Sequence, residues 1–170
     1  NESGIYSYIP RTPDVVLKNR FGDCKEKSVL LNEMLKLINV EAYPVLLNTV
    51  LGSKIQNFAP SLNAFDHCIS VFKYENRNYF IDPTNSYQKG NFTLRQSPTY
   101  ELGMVLDDSK VEFTKIPIEN KSKTEILEQF NISKNNDATL KVISKYYGAN
   151  ADEMRFYFAN KSLFDIQNNY

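Results

Sequence analysis

The stretch "NRFGDCKEKSVLLNEMLKLINVEAY", residues 19–43, sets one of the two cysteines of the chain directly after Gly22-Asp23, where a helical pattern begins. Asp23 is a good N-cap residue, and Glu26 three positions on completes a capping-box pair, so Cys24 becomes the first helical residue. Cys24, Ser28, Leu31, Leu35 and Ile38 recur at steps of three and four and make one stripe, while Lys25, Asn32 and Lys36 fall on a wettable face. Asn39 suits the left-handed position after the helix. A thiol in a first helical turn sits where free amides and the positive end of the helix dipole favour the reactive thiolate. Those amides can also stabilise an oxyanion. Read alone, Cys24 is equally well a small buried hydrophobe.

Working outward, Pro10 and Pro13 hold the lead-in extended, and "PDVVLKNR" suits a short helix with Pro13 in its first turn. After the cysteine helix, "VEAYPVLLNTVL" reads as a buried strand, and "GSKIQNFAPSLNA", residues 52–64, as a mobile surface loop. "FDHCISVFKY" and "RNYFID" read as two strands joined by Glu75-Asn76, where Asn can take the left-handed conformation of a tight hairpin. The region to "ELGMVL" is mostly loop that ends in a strand-like run. Beyond the polar "ENKSKTE", the pattern restarts with "ILEQFNIS", "ATLKVISKYY" and a helix-like "ANADEMRFYFANKSLFDIQ". This places a boundary after residue 122, with residues 123–170 as a second, incomplete module.

The hairpin brings two further residues into play. His67 is the only histidine, and strand alternation places it on one face with Ile69 and Val71. Asp82 ends an apolar strand that has no packing reason to finish with a carboxylate, although an Asp before Pro also initiates turns. With Glu75-Asn76 as a two-residue loop, Tyr74 pairs with Arg77, and Asp82 lies opposite Ile69 and diagonal to His67 on the same face. Asp82 can then orient the imidazole while His67 deprotonates Cys24, the arrangement of a nucleophile, a base and an orienter. Cys68 points to the opposite face, which argues against a zinc site built from both cysteines and the histidine. No metal and no cofactor is expected.

Composition narrows the partners. Twenty basic residues balance twenty acidic ones, so no global field draws the chain to nucleic acid or an anionic membrane. No apolar run approaches the ~20 residues of a membrane span, and "NESGIYSYIPRTP" lacks the basic and apolar regions of a signal peptide. Two cysteines do not make a disulfide framework. The oligomeric state is not encoded in any pattern of the chain.

"PRTPDVVLKNRFGDCKEKSVLLNEMLKLINVEAYPVLLNT", followed by "FDHCISVF" and "YFIDPTN", resembles the transglutaminase-like superfamily, in particular bacterial proteins whose core lies between accessory domains. The resemblance covers about residues 4–106. It implies an α+β, papain-like core with the Cys-bearing helix on an antiparallel sheet, and Cys24, His67 and Asp82 as nucleophile, base and orienter. It further implies that residues 1–122 form the core, that 123–170 begin a C-terminal accessory domain, and that the native setting is exported or periplasmic. Glu26 stands where Asp is common after Gly-Asp-Cys-Lys, and Asn39 where Gly is frequent. A helix ahead of "PRTP" is usual in the family, and this chain is expected to lack it; Tyr6 and Tyr8 stand as candidates for a second oxyanion donor in that region.

The expected function is acyl transfer from a peptide or protein amide through a thioester on Cys24, with hydrolysis favoured over cross-linking. The alternative is a non-catalytic binding or structural module that retains the fold. A lost triad member would mark that alternative, and all three are present. Residues 52–64 are where substrate preference is expected, because loops on a rigid scaffold carry specificity.

Overall fold

The structure is a computed structural model; it describes residues 8–92, 95, 98–107, 109–119, 122–135 and 137–169, and of Leu62 only the backbone. The chain divides into two compact units, Asn1–Ser86 with Ser97–Ile118, and Tyr87–Gln96 with Glu119–Tyr170. The chain therefore enters the second unit at residues 87–96, returns to the first, and enters the second again at Glu119, ahead of the expected boundary.

The first unit is α+β. Helices α1 (Pro13–Asn19) and α2 (Cys24–Leu37) precede strands β1 (Ala42–Leu47), β2 (His67–Tyr74), β3 (Arg77–Ile81), β4 (Leu102–Asp107) and β5 (Lys110–Lys115). The five strands form one antiparallel sheet in the order β3-β2-β1-β4-β5. Pro44 lies in the central strand, an unusual place for a residue without an N–H. It is tolerated because β4 pairs with β1 only through Val45 and Leu46, so Pro44 falls beyond the end of that ladder. Strand β5, "KVEFTK", is not signalled by the sequence pattern; only Val111 and Phe113 alternate with its charges. The expected mobile loop at 52–64 contains two 3-10 turns, Gly52–Asn57 and Leu62–Ala64.

One sheet face carries the core of Val45, Leu47, Ile69, Val71, Phe80 and Ile116, with Tyr43, Tyr100 and Val105 packed against it. Helix α2 packs on β1 and β2 from the other side, where Ser28 Oγ donates to the Cys68 carbonyl at 3.0 Å and Ser70 Oγ to the Ser28 carbonyl at 3.3 Å. The inward stripe of α2 differs from the expected one. Asn32 is not on a wettable face; it is 2% exposed, one turn beyond buried Ser28, and its amide has no hydrogen-bond partner among the described residues. Ile38, expected in the stripe, is 67% exposed because the helix ends at Leu37 and Ile38 is its C-cap. Asn39 does take the left-handed conformation, at φ 60.

The second unit holds an antiparallel pair, β6 (Lys123–Ile132) and β7 (Ala138–Tyr147), and helices α3 (Ala149–Asn160) and α4 (Leu163–Asn169). The polar "ENKSKTE" is thus not all linker, since Lys123, Thr124 and Glu125 pair with Tyr147, Tyr146 and Lys145. The single helix-like tail is two helices, separated where Ser162 Oγ accepts from the Asp165 amide at 3.1 Å. Tyr87 belongs here by its edge-on contact with Phe156, with ring centroids 5.6 Å apart. Among the described residues no helix is long and apolar enough to cross a membrane.

Candidate functional site

The first turn of α2 is held by an ionic clasp. Asp23 Oδ1 accepts from the Glu26 amide at 3.2 Å, and Glu26 Oε2 accepts from the Asp23 amide at 3.0 Å, completing the capping box. Glu26 also receives Arg11 Nε at 2.6 Å, Arg11 Nη2 at 2.8 Å and the Arg11 amide at 3.1 Å. Glu26 is 1% exposed, and the Arg11 guanidinium draws its carboxyl down to about 2. Gly22 leaves room for this, since a Cβ there would lie 2.9 Å from Val16 Cγ1 and 3.1 Å from Glu26 Cβ. The clasp fixes where the Cys24 amide and side chain begin.

The hairpin register then sets the other two residues. Tyr74 pairs with Arg77 and Ser70 with Ile81 across the Glu75-Asn76 turn, whose residues adopt φ 47 and φ 60. Counting on from Ser70–Ile81 puts Asp82 across from Ile69, on the His67 face, and His67 Nε2–H donates to Asp82 Oδ2 at 2.8 Å. Both side chains are largely buried. Burial disfavours the Asp82 carboxylate, but the bonds from His67 and Thr84 outweigh it and hold the group down at about 2. Burial likewise disfavours the His67 imidazolium, while the bonds to Asp82 and then to Cys24 raise it to about 9.

Cys24 meets this pair from the other side of the sheet. Ser28, one helical turn after Cys24, holds the Cys68 carbonyl, and after His67 the Cys68 backbone also helps to lower the Cys24 thiol. His67 is the first residue of β2, and its Nδ1 is left over once Nε2 is committed to Asp82. The His67 hydrogen bond lowers the Cys24 thiol against the opposing effect of its partial burial. Cys68, by contrast, is buried facing α2 and pushed up to about 12, chiefly by desolvation. The two cysteines are both free, and they stand in opposite electrostatic environments.

Three predicted residues are therefore brought together, and three neighbours come with them. Thr84 donates to Asp82 Oδ1 through its amide at 2.9 Å and its hydroxyl at 2.6 Å, a local Asp-turn that "DPT" signals in the sequence. Ser28 is legible as the residue one turn after Cys24. Tyr100 donates to Asp82 Oδ2 at 3.0 Å from 18 residues away, and no sequence spacing announces it. Tyr6 lies outside the described residues, and the Tyr8 hydroxyl donates to Asn63 Oδ1 at 3.3 Å. Among the described residues no three His, Cys, Asp or Glu side chains gather to hold a metal. No family model, no curated protein and no solved structure matches the chain.

Proposed function

We propose that the chain performs cysteine-dependent acyl transfer on peptide or protein amides, with Cys24 as nucleophile, His67 as base and acid, and Asp82 as orienter. The single observation that supports this reading is the buried His67–Asp82 pair, 2.8 Å apart, beside a capped helix whose first residue, Cys24, has its thiol lowered chiefly by His67. The thiolate attacks the amide carbonyl carbon, and the oxyanion develops near the first-turn amides. The C–N bond breaks as His67 gives its proton to the departing amine. Water or a second amine then attacks the thioester, passes a proton to His67 and frees Cys24. Hydrolysis is the preferred outcome, following the resemblance to bacterial transglutaminase-like proteins, and the papain-like description of the α+β core and an exported setting belong to the same proposal.

An activated aryl ester tests this whatever the natural substrate is. Intact-mass measurement should find one acyl group on Cys24 of the unsubstituted protein, and none at that position in Cys24→Ala. Supply of a primary amine should divert product to the amide only if cross-linking is the natural outcome. With an amide substrate, whose departing amine needs a proton, the rate should decline as pH rises through about 9, where His67 loses that proton. Acylation of Cys68 alone, or none, would point to the non-catalytic module.

A further inference from the structure

Asp82 is fully subscribed. A carboxylate offers about four lone-pair sites, and here Oδ1 accepts twice from Thr84 while Oδ2 accepts from His67 and Tyr100. Tyr100 and His67 thus meet at one oxygen. Their rings also touch, with the tyrosine edge-on to the imidazole at 5.5 Å between centroids and 67° between planes.

The backbone that delivers Tyr100 is itself unusual. The Leu102 amide bonds back to the Tyr100 carbonyl at 2.7 Å, closing a three-residue turn around Glu101 at φ 64. That is a rare turn, and glutamate has no intrinsic preference for it. The surroundings enforce it, as Ile116 N–H donates to the Glu101 carbonyl at 2.8 Å and Ser53 N–H to the Glu101 carboxylate at 3.0 Å. Held in this region by its surroundings, Glu101 fixes the segment that carries Tyr100.

We infer that Tyr100 is a positioning residue of the site, which holds the Asp82 oxygen used by His67 and tempers how tightly Asp82 retains the imidazole proton. The inference rests on the reading above that His67 transfers protons. Donation by the phenol withdraws charge from Oδ2; without it the carboxylate is more basic toward the imidazolium. A tighter-held proton is passed more slowly to a leaving amine. The groups around the imidazole are Cys24 from α2, Asp82 beyond β3 and Tyr100 ahead of β4, with Asp66 next in the chain and bonded to Thr49. Burial and the Asp82 charge push the Tyr100 phenol to about 12, so it remains a donor across the working range.

Because His67 is the only histidine, its ring signals can be titrated by NMR without ambiguity. Tyr100→Phe keeps the ring and removes the donor, and should raise the His67 midpoint by several tenths of a pH unit. Uniform fluorotyrosine labelling of the unsubstituted chain strengthens the donor and should lower that midpoint, which keeps the test decisive if Tyr100→Phe fails to fold. A raised midpoint in the unsubstituted protein that neither change moves would overturn the role of Tyr100 alone. A midpoint at the ordinary histidine value in the unsubstituted protein would instead overturn the coupling of His67 to Asp82 on which the proposed function depends.

Discussion

Alkylation of Cys24 at about pH 6 is expected to slow on the order of tenfold when His67 is replaced by alanine. An ordinary thiol with a pKa of ~8.5 is only about 0.3% ionised there, whereas in the intact site the imidazolium stabilises the thiolate. Part of the gain is returned, since a thiolate of lower basicity is a weaker nucleophile. Competition between the two cysteines supplies an internal reference, because Cys68 is buried and its thiol is raised to about 12. Mass spectrometry of the alkylated protein should therefore find the label at Cys24 in the unsubstituted chain and little label anywhere in His67→Ala. Equal rates in the two proteins would separate Cys24 from His67.

The largest effect on stability is expected at Glu26, outside the three side chains of the proposed catalytic set. Glu26→Gln leaves the Arg11 guanidinium without its carboxylate and weakens one half of the capping box. Breaking a buried pair by removing one partner costs ~3–5 kcal/mol, and because the Arg11 side chain keeps 20% exposure the lower end, about 3 kcal/mol, is expected. That is a large share of the ~5–15 kcal/mol available to a typical fold. The pH dependence has a definite sign. The folded-state pKa of Glu26, about 2, lies below its unfolded value, so the contribution is complete above ~4.3 and is lost as pH falls toward about 2. Asp82 adds to the same acid window, being held at about 2. Denaturant midpoints across that window should fall steeply for the unsubstituted protein and less steeply for Glu26→Gln; parallel curves would show that the clasp contributes nothing through its charge.

What could be read from the sequence was whatever short-range geometry controls. Strand alternation has a period of two and a two-residue turn admits one register, so Tyr74 opposite Arg77 and Asp82 beside His67 follow from counting. The capping box joins Asp23 to Glu26, three positions apart, and is equally visible. Arg11 and Tyr100 were not, because each reaches the site from a segment whose path depends on tertiary packing, 15 residues from Glu26 and 18 from Asp82 respectively. Asn32 misled for a related reason: a polar residue signals a wet face, yet α2 turns Ser28 and Asn32 toward the sheet. Strand parity alone also oversimplifies the meeting of Cys24 and His67. They approach from opposite sides of the sheet and converge only because His67 opens β2 and the helix binds the backbone of Cys68 at that end.

Catalysis of the proposed kind requires Cys24 to be an ionised thiol coupled to a protonated histidine. Ultraviolet thiolate absorbance, taken as the difference between the unsubstituted protein and Cys24→Ala across pH, measures that ionisation without substrate or reagent. The expected difference spectrum shows the thiolate forming on the acid side of an ordinary cysteine, and the transition moves back to ordinary values in His67→Ala. A transition at the ordinary thiol value in both proteins would contradict the coupling and leave Cys24 a plain cysteine at the head of a helix.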